Sequence, residues 1–469
     1  MRTTDTQTMD IQDYLQHHRD KSLLRILTCG SVDDGKSTLL GRLLFDSQQI
    51  YDDQLHGLNQ DIKGRTADGD LELAMLVDGL QAEREQGITI DVAYRFFSTE
   101  KRKFIIADTP GHEQYTRNMV TGASTANTAI LLVDARYGVQ QQTRRHAFIC
   151  HLLGIQQWVL AVNKMDLVDY DQAVFSTIRE EIKAIGQSLG VADIYPIPLS
   201  ALKGENTLTL SDKMPWYQKQ PLLPYLENLP VENAVESAPN RFCVQWVNRP
   251  NLDFRGYSGL IQSGQFQPGL AIKVLPGGQT SRLKKIVTFD GDLDQAQAGQ
   301  PVTFTLEDER DISRGNWIVP ADEKVDLSNR LDAHLVWFDD KPMTPGQSFY
   351  IKFAVQQTQA VVSQIHHLVD IHQYTQVQGD QLRMNDIGYV HIELAESTLL
   401  DTYQKGLGQF ILVDSLTNAT VAAGMVQTVQ AEVNNQYSSF EMELNALIRK
   451  HFPHWHARDL HKLLNDSTS

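Results

Sequence analysis

Cysteine is scarce in this sequence. There are three in 469 residues, Cys29, Cys150 and Cys243, far apart and without a CxxC pair. That excludes a disulfide framework and a cysteine-built zinc site, and it fits a reducing cytoplasm. No apolar run approaches the ~18 residues that would cross a bilayer, so no membrane partner is expected. Residues 1–20 are polar and lack the apolar stretch of a signal peptide, so a cytoplasmic location is expected. Basic residues are in deficit, 42 Lys and Arg against 58 Asp and Glu, for a net charge of −16, and no basic arm or lysine-rich tail is present. Nucleic-acid affinity depends largely on Lys and Arg neutralising phosphates, so no nucleic-acid partner is expected.

What is present is an ordinary globular balance, 41% hydrophobic and 21% charged, in a chain long enough for about three domains of ~150 residues. Short apolar runs at 23–27, 104–107, 130–133, 159–162 and 194–199 alternate with helix-like stretches. Such alternation reads as an α/β domain, a mostly parallel sheet with helices on both faces, whose ligands bind at the C-terminal ends of the strands. Past residue 205 a Pro-rich passage (Pro215, Pro221, Pro224, Pro230) leads into strand-like segments with turns at Gly256, Gly264, Gly269 and Pro276-Gly277-Gly278, then a second series from His334 to Val426. Regular short strands with Gly turns favour two antiparallel β-barrels. The expected division is an N-terminal extension (1–22), a nucleotide-binding P-loop domain (23–230), two barrels (240–329 and 330–427) and a C-terminal helical extension (428–469). In that last stretch Ser438-Ser439-Phe440-Glu441 is a capping box, and Phe440, Leu444, Leu447 and Ile448 fall at helical spacing.

The chemistry lies in motifs that follow the strand ends. Gly30-Ser31-Val32-Asp33-Asp34-Gly35-Lys36-Ser37 fits G-x-x-x-x-G-K-[ST] and sits between an apolar strand and an apolar-striped helix beginning at Thr38. Glycines let the backbone wrap phosphates, successive N–H groups and the helix start face the anion, Lys36 reaches the β/γ-phosphates and Ser37 ligates magnesium. In Asp108-Thr109-Pro110-Gly111-His112, Asp108 reads as a carboxylate holding magnesium through a bound water, Gly111 N–H as the γ-phosphate sensor, and His112 as the group orienting the attacking water. Within Glu83-Arg84-Glu85-Gln86-Gly87-Ile88-Thr89-Ile90-Asp91, Thr89 completes magnesium coordination only while the γ-phosphate is present, which makes the loop a switch. Asn163-Lys164-Met165-Asp166 selects the base. The Asp166 carboxylate accepts from the N1–H and N2–H₂ edge of guanine, and adenine leaves it partly unpaired. Ser200-Ala201-Leu202 follows the next strand, with the Ala201 N–H expected at guanine O6. The predicted cofactors are GTP and Mg²⁺, with Lys36, Thr89, Asp108 and His112 catalytic.

Other features carry less. His451, His454 and His456 read as a solvated tail end, and His366, His367 and His372 have no carboxylate at ligand spacing, so they read as barrel surface or core. No second G-x-x-x-x-G-K-[ST], SGG-type nucleotide loop or HxGH motif is present, so neither a second kinase activity nor direct adenylyl transfer is expected of this chain.

The order GSVDDGKS, GITID, DTPGH, NKMD, SAL resembles the translation-factor superfamily of GTPases, of the elongation factor Tu and 1-alpha type. Phe254-Arg255-Gly256-Tyr257-Ser258-Gly259 and Asp311-Ile312-Ser313-Arg314-Gly315 look like the second-domain barrel signatures of that group, so the resemblance covers about residues 23–427. Within it, Ser31 and Asp34, the runs 78–87 and 112–119, and the tail Phe452-Pro453-His454-Trp455 are similar to the large GTP-hydrolysing subunits of bacterial sulfate adenylyltransferase. That resemblance implies a smaller catalytic subunit as partner, in a heterodimer or higher assembly. The partner would handle ATP and sulfate and form adenylyl sulfate and pyrophosphate, with GTP hydrolysis here driving the reaction in sulfate assimilation. The competing expectation is an elongation factor that binds aminoacyl-tRNA; the acidic balance and Asp34 in the P-loop weigh against it.

Overall fold

The computed structural model describes residues 21–47, 73–77, 83, 88–230, 239–251, 254–325, 327–400, 402, 408–430, 444–445 and 447–449. Five parallel strands, β1 (Leu23–Cys29), β3 (Lys103–Asp108), β4 (Thr128–Asp134), β5 (Gln157–Asn163) and β6 (Asp193–Pro198), form the first sheet with an antiparallel edge strand, β2 (Ala93–Ser98), in the order β2-β3-β1-β4-β5-β6. Every residue of β4 is buried, as befits a central strand covered on both faces. β2 has no continuous apolar run to announce it. It is a sheet edge whose residues alternate between covered and exposed, with Phe96 largely in solvent. Pro196 and Pro198 are tolerated in β6 because it is the opposite edge.

Helices α1 (Lys36–Asp46), α2 (Thr116–Thr125), α3 (Gln141–Leu152), α4 (Gln172–Leu189) and α5 (Leu222–Asn228) accompany the sheet. α4 shows why the local sequence folds as it does. Asp171 caps it by accepting the Ala173 N–H, Gly190 ends it in the left-handed region, and Phe175, Ile178, Ile182, Ile185 and Leu189 form its buried stripe. Among the described residues no helix is long and apolar enough to cross a membrane.

Two closed antiparallel barrels follow, as the turn pattern predicts. In the first, a ring of six strands is closed by Ala271–Leu275 pairing with Gln279–Thr288 across the Pro276-Gly277-Gly278 turn, around stacked Phe242 and Phe304. In the second, the ring closes between Gln347–Phe353 and Gln356–Asp370. Its strand Leu327–Trp337 buries Leu331, Ala333 and Leu335 and turns Asp332 and His334 outward. This barrel packs on the α/β unit, with Val336, Phe338, Ile387 and Met425 in the same buried cluster as the sheet. Phe148 of α3 stacks on Tyr374 at 5.9 Å between centroids, and the Tyr374 hydroxyl donates to the Arg144 carbonyl at 3.0 Å.

The described part of the C-terminal stretch, 444–445 and 447–449, is helical. The capping box at 438–441, the run 78–87 apart from Glu83, the tail 452–455 and His451, His454 and His456 lie outside the described residues.

Candidate nucleotide site

β1 ends and α1 begins at the middle of the sheet, and three residues shape the loop between them. Gly30 sits where a Cβ would lie 2.5 Å from the Leu132 carbonyl oxygen, and Gly35 has φ 91°, a conformation that L side chains rarely adopt. The Asp34 carboxylate is buried. Its Oδ2 accepts the Ser31 N–H at 2.5 Å and its Oδ1 the Asp134 N–H at 3.3 Å, so this side chain faces the loop's own amides and ties them to β4. Burial pushes the Asp34 carboxyl up to about 6, against the pull of Lys36.

Behind the loop stands a residue with no motif to mark it. His146, on α3, is fully buried, and its Nδ1 accepts the Gly30 N–H at 3.2 Å, which puts the ring proton on Nε2. Burial, with the charges of Lys36 and Arg145, pushes its pKa down to about 3. Between pH 6.5 and about 3 the unfolded chain therefore takes up a proton that the folded chain refuses. This contribution to stability is present above pH 6.5 and is lost as the pH falls through that window. Thermal unfolding of the wild type should lose up to about 1.4 kcal/mol per pH unit there from this group, and His146→Gln should remove that slope. An unchanged slope in the variant would contradict the assignment.

At the phosphate end, the buried Lys36 donates through Nζ to the carbonyls of Ser31 at 2.7 Å and Gly30 at 3.4 Å. Burial lowers its pKa, while Asp34 and Asp108 hold its charge. The Ser37 hydroxyl donates to Asp108 Oδ2 at 2.9 Å and lies 3.3 Å from Thr89 Oγ1, and Thr28 donates to Asp108 Oδ1 at 2.8 Å. Burial raises the Asp108 pKa, opposed by the Thr28 bond, Lys36 and the Ser37 bond. Two hydroxyls and a carboxylate make an all-oxygen donor set of the kind magnesium takes, so the residues fit that ion. Gly111 approaches so closely that a Cβ would lie 2.6 Å from Lys36 Nζ and 2.7 Å from the Val32 nitrogen. His112 follows, half-buried, its Nδ1 accepting the Gln114 N–H at 3.3 Å. Val32, Asp33, Gly35, Lys36, Ser37, Thr38, Thr89, Gly111, His112, Arg136 and Lys164 line one cavity of about 410 Å³.

At the base end, Asn163 is a staple. Its Nδ2 donates to the Asp34 carbonyl at 2.8 Å and its Oδ1 accepts the Ala201 N–H at 2.9 Å. That differs from the expectation that the Ala201 amide meets guanine O6, because in this structure the N–H is directed at a side chain of its own chain. Arg42 of α1 braces the same turn from below, donating to the carbonyls of Ala201 at 3.0 Å and Leu202 at 2.5 Å, while Ser200 Oγ accepts the Lys203 N–H at 3.3 Å. Lys164, left-handed at φ 61°, lays its ammonium on the Asp33 carbonyl and within 3.1 Å of the buried Asp134 carboxylate. Asp166 is half-buried at the start of the turn Met165–Val168.

Three positions were not singled out from sequence. Arg136 lines the cavity and pairs with Asp134 at 2.7 Å; it follows the C-terminal end of β4, where the strand-end rule places ligand contacts. Arg42 and His146 act from outside the cavity, on loops they reach only in three dimensions, and no local signal marks them.

The elongation factor Tu GTP-binding domain family matches residues 21–220, and the eEF1A C-terminal domain-like family matches residues 330–427. The chain is similar to a sulfate adenylyltransferase subunit 1 of Saccharophagus degradans, 53% identical over 461 residues, which are 97% of this chain and 98% of that one. A sulfate adenylyltransferase subunit 1 of Vibrio vulnificus is 55% identical over 463 residues, 97% of each. Among solved structures, a bacterial selenocysteine-specific elongation factor, EF-Sec, aligns at 20% identity and a TM-score of 0.43, covering 92% of this chain and 62% of that chain.

Proposed function

The chain belongs to the family of sulfate adenylyltransferase subunit 1 proteins, within the elongation factor Tu-type GTP-binding group, and from that premise we propose that it binds and hydrolyses GTP to drive sulfate activation by a smaller catalytic subunit. The convergence of Ser37, Thr89 and Asp108 oxygens beside the buried Lys36 ammonium is the observation that carries this reading.

In this reading the loop from Gly30 to Thr38 wraps the phosphates with its amides, and the Lys36 ammonium leaves its loop carbonyls for the β- and γ-phosphate oxygens. Ser37, Thr89 and Asp108 would hold magnesium, which when bound would neutralise charge developing between the β- and γ-phosphates. The Gly111 N–H donates to the γ-phosphate, and His112 orients the attacking water. Asp166 accepts from the guanine edge, with Lys164 laid against the base and Asn163 fixing the distance between phosphate loop and base loop.

The route outward is physical. Asn118 of α2 donates to the Ile90 carbonyl at 2.7 Å, so α2 and the segment after Thr89 are tied together. The next contact is Arg117, whose guanidinium lies 5.8 Å over the Phe338 ring of the second barrel. A change of the γ-phosphate contacts at Thr89 and Gly111 thus reaches the barrel through one helix. The unit at 23–230 is then the motor, and the barrels at 240–329 and 330–427 transmit. ATP and sulfate bind the partner, where the adenylyl transfer takes place.

The test is GTP turnover by the purified chain with and without the smaller subunit, ATP and sulfate, with adenylyl sulfate measured alongside. Turnover is expected to rise with the complete mixture, and adenylyl sulfate to form only when the partner is present. Turnover indifferent to partner and sulfate would defeat the coupling, and adenylyl sulfate made by this chain alone would defeat the division of labour.

A further inference from the structure

The carboxylate that His366 and His391 share comes from neither of their own strands, and the fold supplies it from a third. Asp332 lies on Leu327–Trp337, His391 on Ile387–Leu399 and His366 on Gln356–Asp370, neighbouring strands of the second barrel in that order. Asp332 is directly opposite His391 in the ladder. His366 reaches the same outward row because the strand is bulged between Ile365 and His367, leaving His366 as the extra residue. A bulge of this kind re-aims a side chain. Asp332 Oδ1 is 2.7 Å from His391 Nδ1 and 3.1 Å from His366 Nε2, and the three polar atoms all lie within 4.8 Å of one another. The carboxylate's other oxygen is held from the next strand, accepting from the Thr428 hydroxyl at 3.0 Å and the Gln430 amide at 3.2 Å.

We propose that Asp332, His366 and His391 form a binding site for a first-row divalent transition ion of the zinc class, separate from the magnesium site of the nucleotide. Two imidazole nitrogens and one carboxylate oxygen are borderline donors that suit zinc and its neighbours, whereas magnesium and calcium prefer oxygen alone. Ligands at zinc's usual bond lengths stand roughly 3.4 Å apart around a tetrahedral ion, so the Asp332 oxygen, now 2.7 and 3.1 Å from the two nitrogens, would move apart from them by a few tenths of an ångström to admit one. Thr428 and Gln430 supply the outer contacts that fix a ligating carboxylate. All three residues are half-buried, which leaves one side of the ion open to water. The row continues to His334, two residues along the strand, whose ring meets Phe148 of α3 edge-on at 6.0 Å. An ion here cross-links three strands of the barrel beside the surface on which the nucleotide domain sits.

The experiment uses the full chain, stripped with chelator and kept in Mg·GDP, titrated with Co²⁺ by visible absorption and then with Zn²⁺ as competitor. Because His451, His454 and His456 offer further imidazoles, the readout is the difference between wild type and variants. The wild type should show one set of ligand-field bands, displaced by Zn²⁺, that the double variant His366→Gln/His391→Gln lacks while its GDP affinity is unchanged. Thr428→Val, which removes only the outer contact, should weaken the ion by roughly 10-fold or more. No saturable bands in the wild type, or equal bands in the double variant, overturns the proposal and leaves the cluster a hydrogen-bonded one. Should the double variant fail to bind GDP, the decision falls to Thr428→Val, whose unchanged affinity overturns the site.

Discussion

Asp166→Asn is expected to move the base preference of this chain from guanine to xanthine. The carboxylate accepts from two donors on guanine, N1–H and N2–H₂; an amide accepts from only one of them and sets its own NH₂ against the other. A hydrogen bond to a charged group is worth about 1.5–3 kcal/mol, so losing one of the two costs on the order of 10–10²-fold in GTP affinity. Xanthine has an oxygen where guanine has the amino group, and there the amide donates. Competition binding of GDP and XDP to wild type and variant measures this. Retention of guanine preference by the variant would remove Asp166 from the base site. The surrounding geometry supports a specific effect, because Asn163, Lys164 and Arg42 hold the two base-side loops through contacts that do not involve Asp166.

His112→Ala is expected to lower kcat for GTP hydrolysis on the order of 10²-fold, the lower end of what a positioned proton-handling side chain contributes, with GTP affinity nearly unchanged. The structure adds a complication that the sequence does not show. His112 is also the cap of the turn Glu113–Tyr115, accepting the Gln114 N–H on Nδ1, and cap loss alone costs ~1 kcal/mol. His112→Asn separates the two roles, since Asn caps well but lacks the reach and the Nε2–H of the ring. Single-turnover hydrolysis should be slow in both variants. Recovery of the wild-type rate in His112→Asn would reduce the residue to a cap, and equal loss of binding and hydrolysis would point to misfolding of the loop.

The candidate site could be read from sequence because the residues proposed for phosphate and guanine recognition fall in short local motifs. Gly30, Gly35 and Gly111 stand at fixed places in short motifs, although the atoms that crowd them belong to other segments, Leu132, Asn163 and Lys36, and Asp108 ends β3 while Asp166 follows β5. Asp34 shows the limit of this. As part of the loop motif it reads as a phosphate-side residue, yet its carboxylate is turned inward onto the Ser31 and Asp134 amides. The direction of a short side chain depends on which buried N–H groups lack partners, and one of those belongs to β4, a hundred residues away.

By itself the sequence determined the alternation of the five parallel strands with helices, the two barrels that follow, and the residue types proposed for a guanine-nucleotide site, because each follows from periodicity or from backbone needs within a few residues. Only the tertiary structure decided that Ala201 faces Asn163, that His146 and Arg42 brace the loops, that α2 and α3 rest on the second barrel, and that Asp332 meets His366 and His391. These are contacts between strands and helices distant in sequence, set by sheet register, by a bulge and by packing. A one-residue change of register would turn each outward group inward. Nothing in the local composition of either partner encodes that choice.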